Sequence, residues 1–213
     1  MPCQFHSSCI PGSLSGLGSQ ATARQGNALG ILGVGSGVLT SLAAVGFSPE
    51  VVTQFAGVAA IGGLIGTVIG RRVTATELPQ TVAMLHSIVG LAAVLTSIGS
   101  VLQDTAHLST LHMVTAYMGV VIGGITFTGS IVAFLKLAAK MSSKPLTLPG
   151  KHVINASLLG ANAATMAGFL TVTPTPAIAA SFLGASTVLS FLKGYTTTAA
   201  IGGADMRMSS GCD

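Results

Sequence analysis

Among the side chains in this sequence that could carry chemistry are His86, Glu77, Ser130 and Asp205. His86 is the sharpest case. It stands inside TELPQTVAMLHSIVGLAAVL (76–95), a stretch with one acid near its start and no formal charge after it. Imidazole ordinarily titrates near pH ~6.5, so it takes up and releases protons around neutrality. A fixed charge in oil costs a few kcal/mol, roughly 2.5–3.5 on insertion scales, and even the neutral ring carries a donor and an acceptor to satisfy. The helix is therefore expected to turn His86 towards protein or a water pocket. Two readings stay open from the residues: a proton carrier, or a neutral link between helices. At a rise of 1.5 Å per residue, His86 lies about 10 Å in from Pro79.

Glu77 stands at the mouth of the same segment, beside Gln80 and Thr81. There a carboxylate caps the helix through its dipole, or passes protons at the surface. Thr126 and Ser130 are four apart and share a helix face. Together with Thr128, they either hold water or bond His86, or bond back to their own helix. Asn155 and Asn162, seven apart, are read as bonding between helices. Asp205 follows Gly202-Gly203-Ala204. Its plain reading is an interfacial carboxylate paired with Arg71, Arg72 or a lysine.

The elements that position these groups are apolar runs. Of 213 residues, 50% are hydrophobic, only 7% are charged and 28 are glycine. Soluble domains carry about 25% charged residues, so this chain has too few to cover a globule. Six runs, 27–47, 51–70, 79–102, 113–135, 153–170 and 177–192, approach or exceed the ~17–20 residues that cross a bilayer core. A seventh, 196–204, is too short. The predicted fold is all-α, a polytopic transmembrane bundle of about six helices. Arg24, Arg71, Arg72, Lys136, Lys140, Lys144, Lys151, Lys193 and Arg207 fall before, between or after these runs. With six spans they share one side, which the positive-inside rule assigns to the cytosol or matrix. Small residues at fourfold spacing are expected to let helices approach closely. They are Gly62, Gly66 and Gly70; Gly119 and Gly123; and Ala156, Gly160, Ala164 and Gly168.

Other chemistry finds no support. Cys3, Cys9 and Cys212 lie in the tails, and His6 is the only histidine near the first two; no metal site is expected. No basic run is interleaved with aromatics as nucleic-acid binding requires. The glycines at 30–37 follow no predicted strand, so they are not a dinucleotide loop. There is no nucleophile–base set and no paired carboxylates. Residues 1–23 read as a tail, disordered or targeting, 24–206 as the transmembrane domain, and 207–213 as a divergent tail.

Five strings, in order, resemble the membrane domain of proton-translocating NAD(P) transhydrogenase, carried by the beta subunit in bacteria. They are ARQGNALGILG (23–33), TELPQTVAMLHSIVGLAAVL (76–95), GGITFTGSIVAF (123–134), SSKPLTLPGKHVIN (142–155) and AAIGGADM (199–206). The resemblance implies coupling of hydride transfer between NAD(H) and NADP(H) to proton passage. It implies His86 as the proton-transfer residue, Glu77 at the channel entrance, Ser130 in the polar path and Asp205 at the junction with the NADP(H)-binding domain. Gln80 stands where the family often has a second acid.

By the same resemblance this chain binds no cofactor itself, and NAD(H) and NADP(H) belong to domains outside it. Its implied partners are those domains, the remaining membrane helices, the lipid bilayer and a second copy in a homodimeric assembly. Its implied place is the mitochondrial inner membrane, with the bacterial inner membrane as the alternative. After Met206 the sequence departs from the family pattern, where a proline and a further helix follow. The rival readings are a small-solute transporter or membrane-assembly protein, and an inactive truncated fragment.

Overall fold

The computed structural model describes residues 21–74, 76–103, 108–146, 149–172 and 175–202. These form six helices: α1 (Ala23–Val45), α2 (Pro49–Arg72), α3 (Leu78–Gln103), α4 (Thr110–Leu137), α5 (Lys151–Thr171) and α6 (Pro176–Ala199). At 21 to 28 residues, all six are long and apolar enough to cross a membrane. The protein is therefore a multi-pass membrane protein, as its apolar runs predicted. The last two runs were the shortest by sequence, yet α6 extends to Ala199. It takes in Lys193 and the start of the supposed seventh segment. Lys193 is tolerated there because its Nζ reaches the Asn155 carbonyl at 3.3 Å.

Local sequence explains the helix ends. Ser48 Oγ accepts from Val51 N–H at the start of α2, with Pro49 in the first helical position. Ser109 caps α4 through His112 N–H at 3.2 Å, and Thr175 caps α6 ahead of Pro176. Gly46 ends α1 with φ +100°, and Gly150 precedes α5 with φ +73°, conformations that favour glycine. Glu50 in the first turn of α2 and Arg71 and Arg72 in its last turn complement the helix dipole.

Packing divides the chain into two compact units, Met1–Arg72 and Val73–Asp213. The first contains α1 and α2, whose apolar side chains, such as Ile31, Leu39, Ile61 and Leu64, are largely exposed. The second is a bundle with α4 at its centre. A Cβ built on Gly90 of α3 would lie 2.7 Å from Phe127 N and 2.8 Å from Gly123 O. One built on Gly123 would lie 2.7 Å from Gly90 O. The two backbones are thus in direct contact, and no side chain fits between them. On its other face, Gly124 and Gly129 of α4 receive Ser190 and Thr198 of α6, and Gly194 of α6 lies against Ile125. The paired numbers rise together, so α4 and α6 are parallel; α3 runs antiparallel to α4.

Small residues do pack helices, but only some of those expected. Gly119 meets Ser97, Gly123 meets Gly90, and Gly168 meets Phe182. Nothing lies within 4 Å of a Cβ built on Gly62, Gly66, Gly70 or Gly160.

A buried polar network ties α5 to α4 and α6. Asn162 is 3% exposed, and its Oδ1 accepts from Ser186 Oγ at 3.0 Å and Ser190 Oγ at 3.4 Å. Its backbone carbonyl accepts from the Tyr117 hydroxyl at 3.0 Å, which also lies 2.5 Å from Thr165 Oγ1. Asn155 Oδ1 accepts from Thr196 Oγ1 at 2.8 Å. Both asparagines therefore bond between helices, as expected from their shared face. Replacing Asn162 with leucine strands two buried hydroxyls. The variant should lose about 1–3 kcal/mol in reversible unfolding from detergent micelles; an unchanged midpoint would contradict the network's role.

Candidate functional site

The α3 residues that face its neighbours are Ser87, Gly90, Val94 and Val101, spaced three, four and seven apart. That stripe is fixed by the backbone contact at Gly90. His86 is one position off it, and its side chain is exposed on the flank of α3. The ring does not enter the core shared by α3 to α6. Its Nδ1 lies 3.1 Å from the carbonyl of Val82, one turn earlier. With the proton on Nδ1, this bond satisfies the donor and leaves Nε2 directed away as a free acceptor. A helix-bonded imidazole with one open nitrogen can accept a proton there and return it along the same path.

Ser130 sits on α4, one turn beyond Phe127, which packs on Gly90; His86 lies one turn before Gly90. The antiparallel pairing therefore brings Ser130 and His86 to the same level of the α3–α4 seam. Ser130 is partly buried, and no hydrogen bond joins it or Thr126 to the imidazole. Thr128 turns the other way: its Oγ1 bonds the Phe191 carbonyl of α6 at 2.8 Å as well as its own helix at 3.2 Å.

Glu77 immediately precedes α3, and Thr81 N–H bonds its backbone carbonyl to open the helix. Its carboxylate does not point to the helix amides. Instead Oε2 accepts from Thr74 Oγ1 at 2.9 Å and Thr74 N–H at 3.2 Å, closing the turn between Arg72 and α3. Those two bonds, the hydroxyl's first, hold the Glu77 carboxyl below its ordinary 4.5. The group is exposed and lies at the same end of the bundle as Lys136, Lys151 and Lys193. Asp205 lies outside the described residues, as do Cys3, Cys9 and Cys212. Among the described residues, no three His, Cys, Asp or Glu side chains gather as metal ligands.

The profile of the NAD(P) transhydrogenase beta subunit matches residues 3–209. The chain belongs to that family. Two curated relatives, both named NAD(P) transhydrogenase subunit beta, one from Rhodospirillum rubrum and one from its strain ATCC 11170, are each 37% identical over 204 residues. The match covers 91% of this chain and 42% of each relative, so the chain spans about two-fifths of their length.

Sequence reasoning overlooked several polar residues that the fold uses. Tyr117 is buried near the start of the fourth apolar run, and a phenol there signals a partner across the interface. Lys136 lies just past the fourth apolar run in sequence, yet it is a buried residue of α4. Thr196 was placed in a seventh segment, yet it bonds α5 from within α6.

The turn at Glu77 gives a direct pH prediction. A carboxyl with a lowered folded pKa stabilises above its unfolded pKa, and that contribution disappears as pH falls through the folded value. Thr74→Val removes the larger of the two causes. Titration of the Glu77 carboxyl carbon by NMR should then move up towards 4.5, with the turn opening at higher pH than in the parent. An unmoved titration would show that the hydroxyl does not hold the carboxylate.

Proposed function

We propose that this chain is the membrane proton-channel part of an NAD(P) transhydrogenase. In the complete assembly it couples hydride transfer between NAD(H) and NADP(H) to proton passage. The observation that carries this reading is His86: a titratable ring on a membrane-length helix, with one nitrogen held by Val82 and the other open. Membership of the beta-subunit family supports it. So does the position of Ser130 at the same level of the α3–α4 seam.

In this mechanism His86 Nε2 accepts a proton from water on one side, and it releases that proton to the other side after the state of the nucleotide-binding domain changes which water reaches the fixed ring. The Nδ1 bond to Val82 keeps the ring orientation fixed through the cycle. Ser130, bonded to neither the imidazole nor its own helix, offers a hydroxyl to water beside the ring. Glu77 stands at the basic end, where an ionised carboxylate at ordinary pH gathers protons near the mouth. Asp205 follows α6 in sequence and is assigned to the junction with the NADP(H)-binding region. The nucleotides are held by regions beyond this chain and supply the hydride chemistry.

The exposed flank of α3 must be covered by protein or water for a charged imidazole to exist there. The proposed partners are accordingly the remaining membrane helices, the nucleotide-binding domains and a second copy. The proposed place is a mitochondrial or bacterial inner membrane; the bacterial source of the relatives named above fits the second.

His86→Ala in the complete assembly tests the reading. Proton translocation driven by transhydrogenation should fall by about 100-fold or more, the usual worth of a positioned acid–base group. Pumping at the parent rate would reject the role. Solute transport independent of NADP(H) would favour the transporter reading instead.

A further inference from the structure

One cation of the basic end is inside the protein. Lys136, in the last turn of α4, is 6% exposed. Its Nζ donates to the carbonyl of Ala199 at 2.8 Å and to that of Ile201. Among the described residues these carbonyls are the ammonium's hydrogen-bond acceptors. Ala199 is the last residue of α6, so a lysine from one helix caps the C-terminus of another.

The arrangement solves an electrostatic problem set by the fold. Parallel α4 and α6 bring two helix C-termini side by side, each carrying partial negative charge. An ammonium between them offsets both, and its donors meet carbonyls that have no partner within the helix. Three segments converge on this point. Ala199 O also accepts from Leu146 N–H at 2.9 Å, which ties the connector after α4 to the end of α6. Ser143 O and Pro145 Cδ of that connector lie 3.7 Å from a Cβ built on Gly202. Ala139, with φ +55°, lies three residues beyond Lys136, where the chain turns away from the end of α4.

We propose that Lys136 is a positioning residue: a cationic latch that fixes the exit of α6 against the end of α4 and the connector 142–146. The latch holds the chain leaving α6 in register with the helix that carries Ser130. What that register serves rests on the proton-channel reading above; the latch itself does not.

The test uses the full chain in lipid nanodiscs, with amide hydrogen exchange read at Ile201, which donates to Thr198 O, and at Leu146. In Lys136→Met both amides should exchange about tenfold faster or more, as expected for loss of hydrogen bonds from a charged donor. Amides in the middle of α5 should keep their protection. Lys136→Arg retains a charged donor and should restore the slow exchange. Unchanged exchange at Ile201 and Leu146 in the methionine variant would overturn the latch. So would equal loosening of α5, which would mark Lys136 as a residue of general packing. In the complete assembly the methionine variant should move fewer protons per hydride, with arginine restoring the ratio. An unchanged ratio alongside a loosened α6 end would overturn the positioning role. If pumping proves independent of His86, the channel reading fails while the exchange result stands by itself.

Discussion

The bundle depends on the backbone contact between Gly90 of α3 and Gly123 of α4. In a bilayer, apolar side chains gain little by leaving lipid for one another, so association rests on close packing and interhelical hydrogen bonds. Close packing here means helix against helix with no intervening side chain. The contact sets the distance between α3 and α4 and also their rotation. Once Gly90 faces α4, Ser87, Val94 and Val101 must follow it into the interface. His86 is then carried to the flank. The open position of the titratable ring is thus a consequence of where a glycine sits four residues later.

The centre of the unit has a different character. Around Asn162, buried hydroxyl and amide groups satisfy one another across α4, α5 and α6, and among the described residues no buried side-chain polar atom lacks a partner. Such a network gains nothing from changing state, because each rearrangement would strand a donor or acceptor. It fixes the geometry. Lys136 adds a charge to the same rigid region, at the end from which α6 departs. The imidazole of His86 lies outside this core, on the flank of α3. The protein therefore separates a satisfied interior from a titratable flank.

Much of this was legible in the residues. The six spans follow from apolar runs that lack charge, and within the second unit Lys136, Lys151 and Lys193 lie at one end of the bundle, as their spacing between runs implies. Run boundaries were less accurate because an apolar criterion stops at the first polar group. Lys193 halted the sixth run and Thr196 fell in a separate seventh segment, although both are accommodated by Asn155. The glycine stripes were over-read for a related reason. Periodicity shows that residues share a face; it does not show that the face has a partner. Gly62 and Gly66 share one face without a close neighbour, while Gly90 makes close contacts without belonging to a stripe. The orientation of His86 was hidden because its helix is apolar all round. With no polar face, a single glycine determines the inward direction, and sequence alone does not distinguish it from Gly99. The bond from Glu77 back to Thr74 depends on a turn conformation that composition does not encode.

The central claim is that Gly90 and Gly123 touch through their backbones and so orient α3. The most direct measurement is solid-state NMR of the isotopically labelled chain in lipid bilayers, recording carbon–carbon transfer between these two glycines. A strong Gly90–Gly123 correlation, with none between Gly99 and Gly123, is the expected result. A spectrum that lacks the Gly90–Gly123 signal while retaining contacts between Tyr117 and Asn162 would contradict the account, because the bundle would then be folded with α3 turned another way.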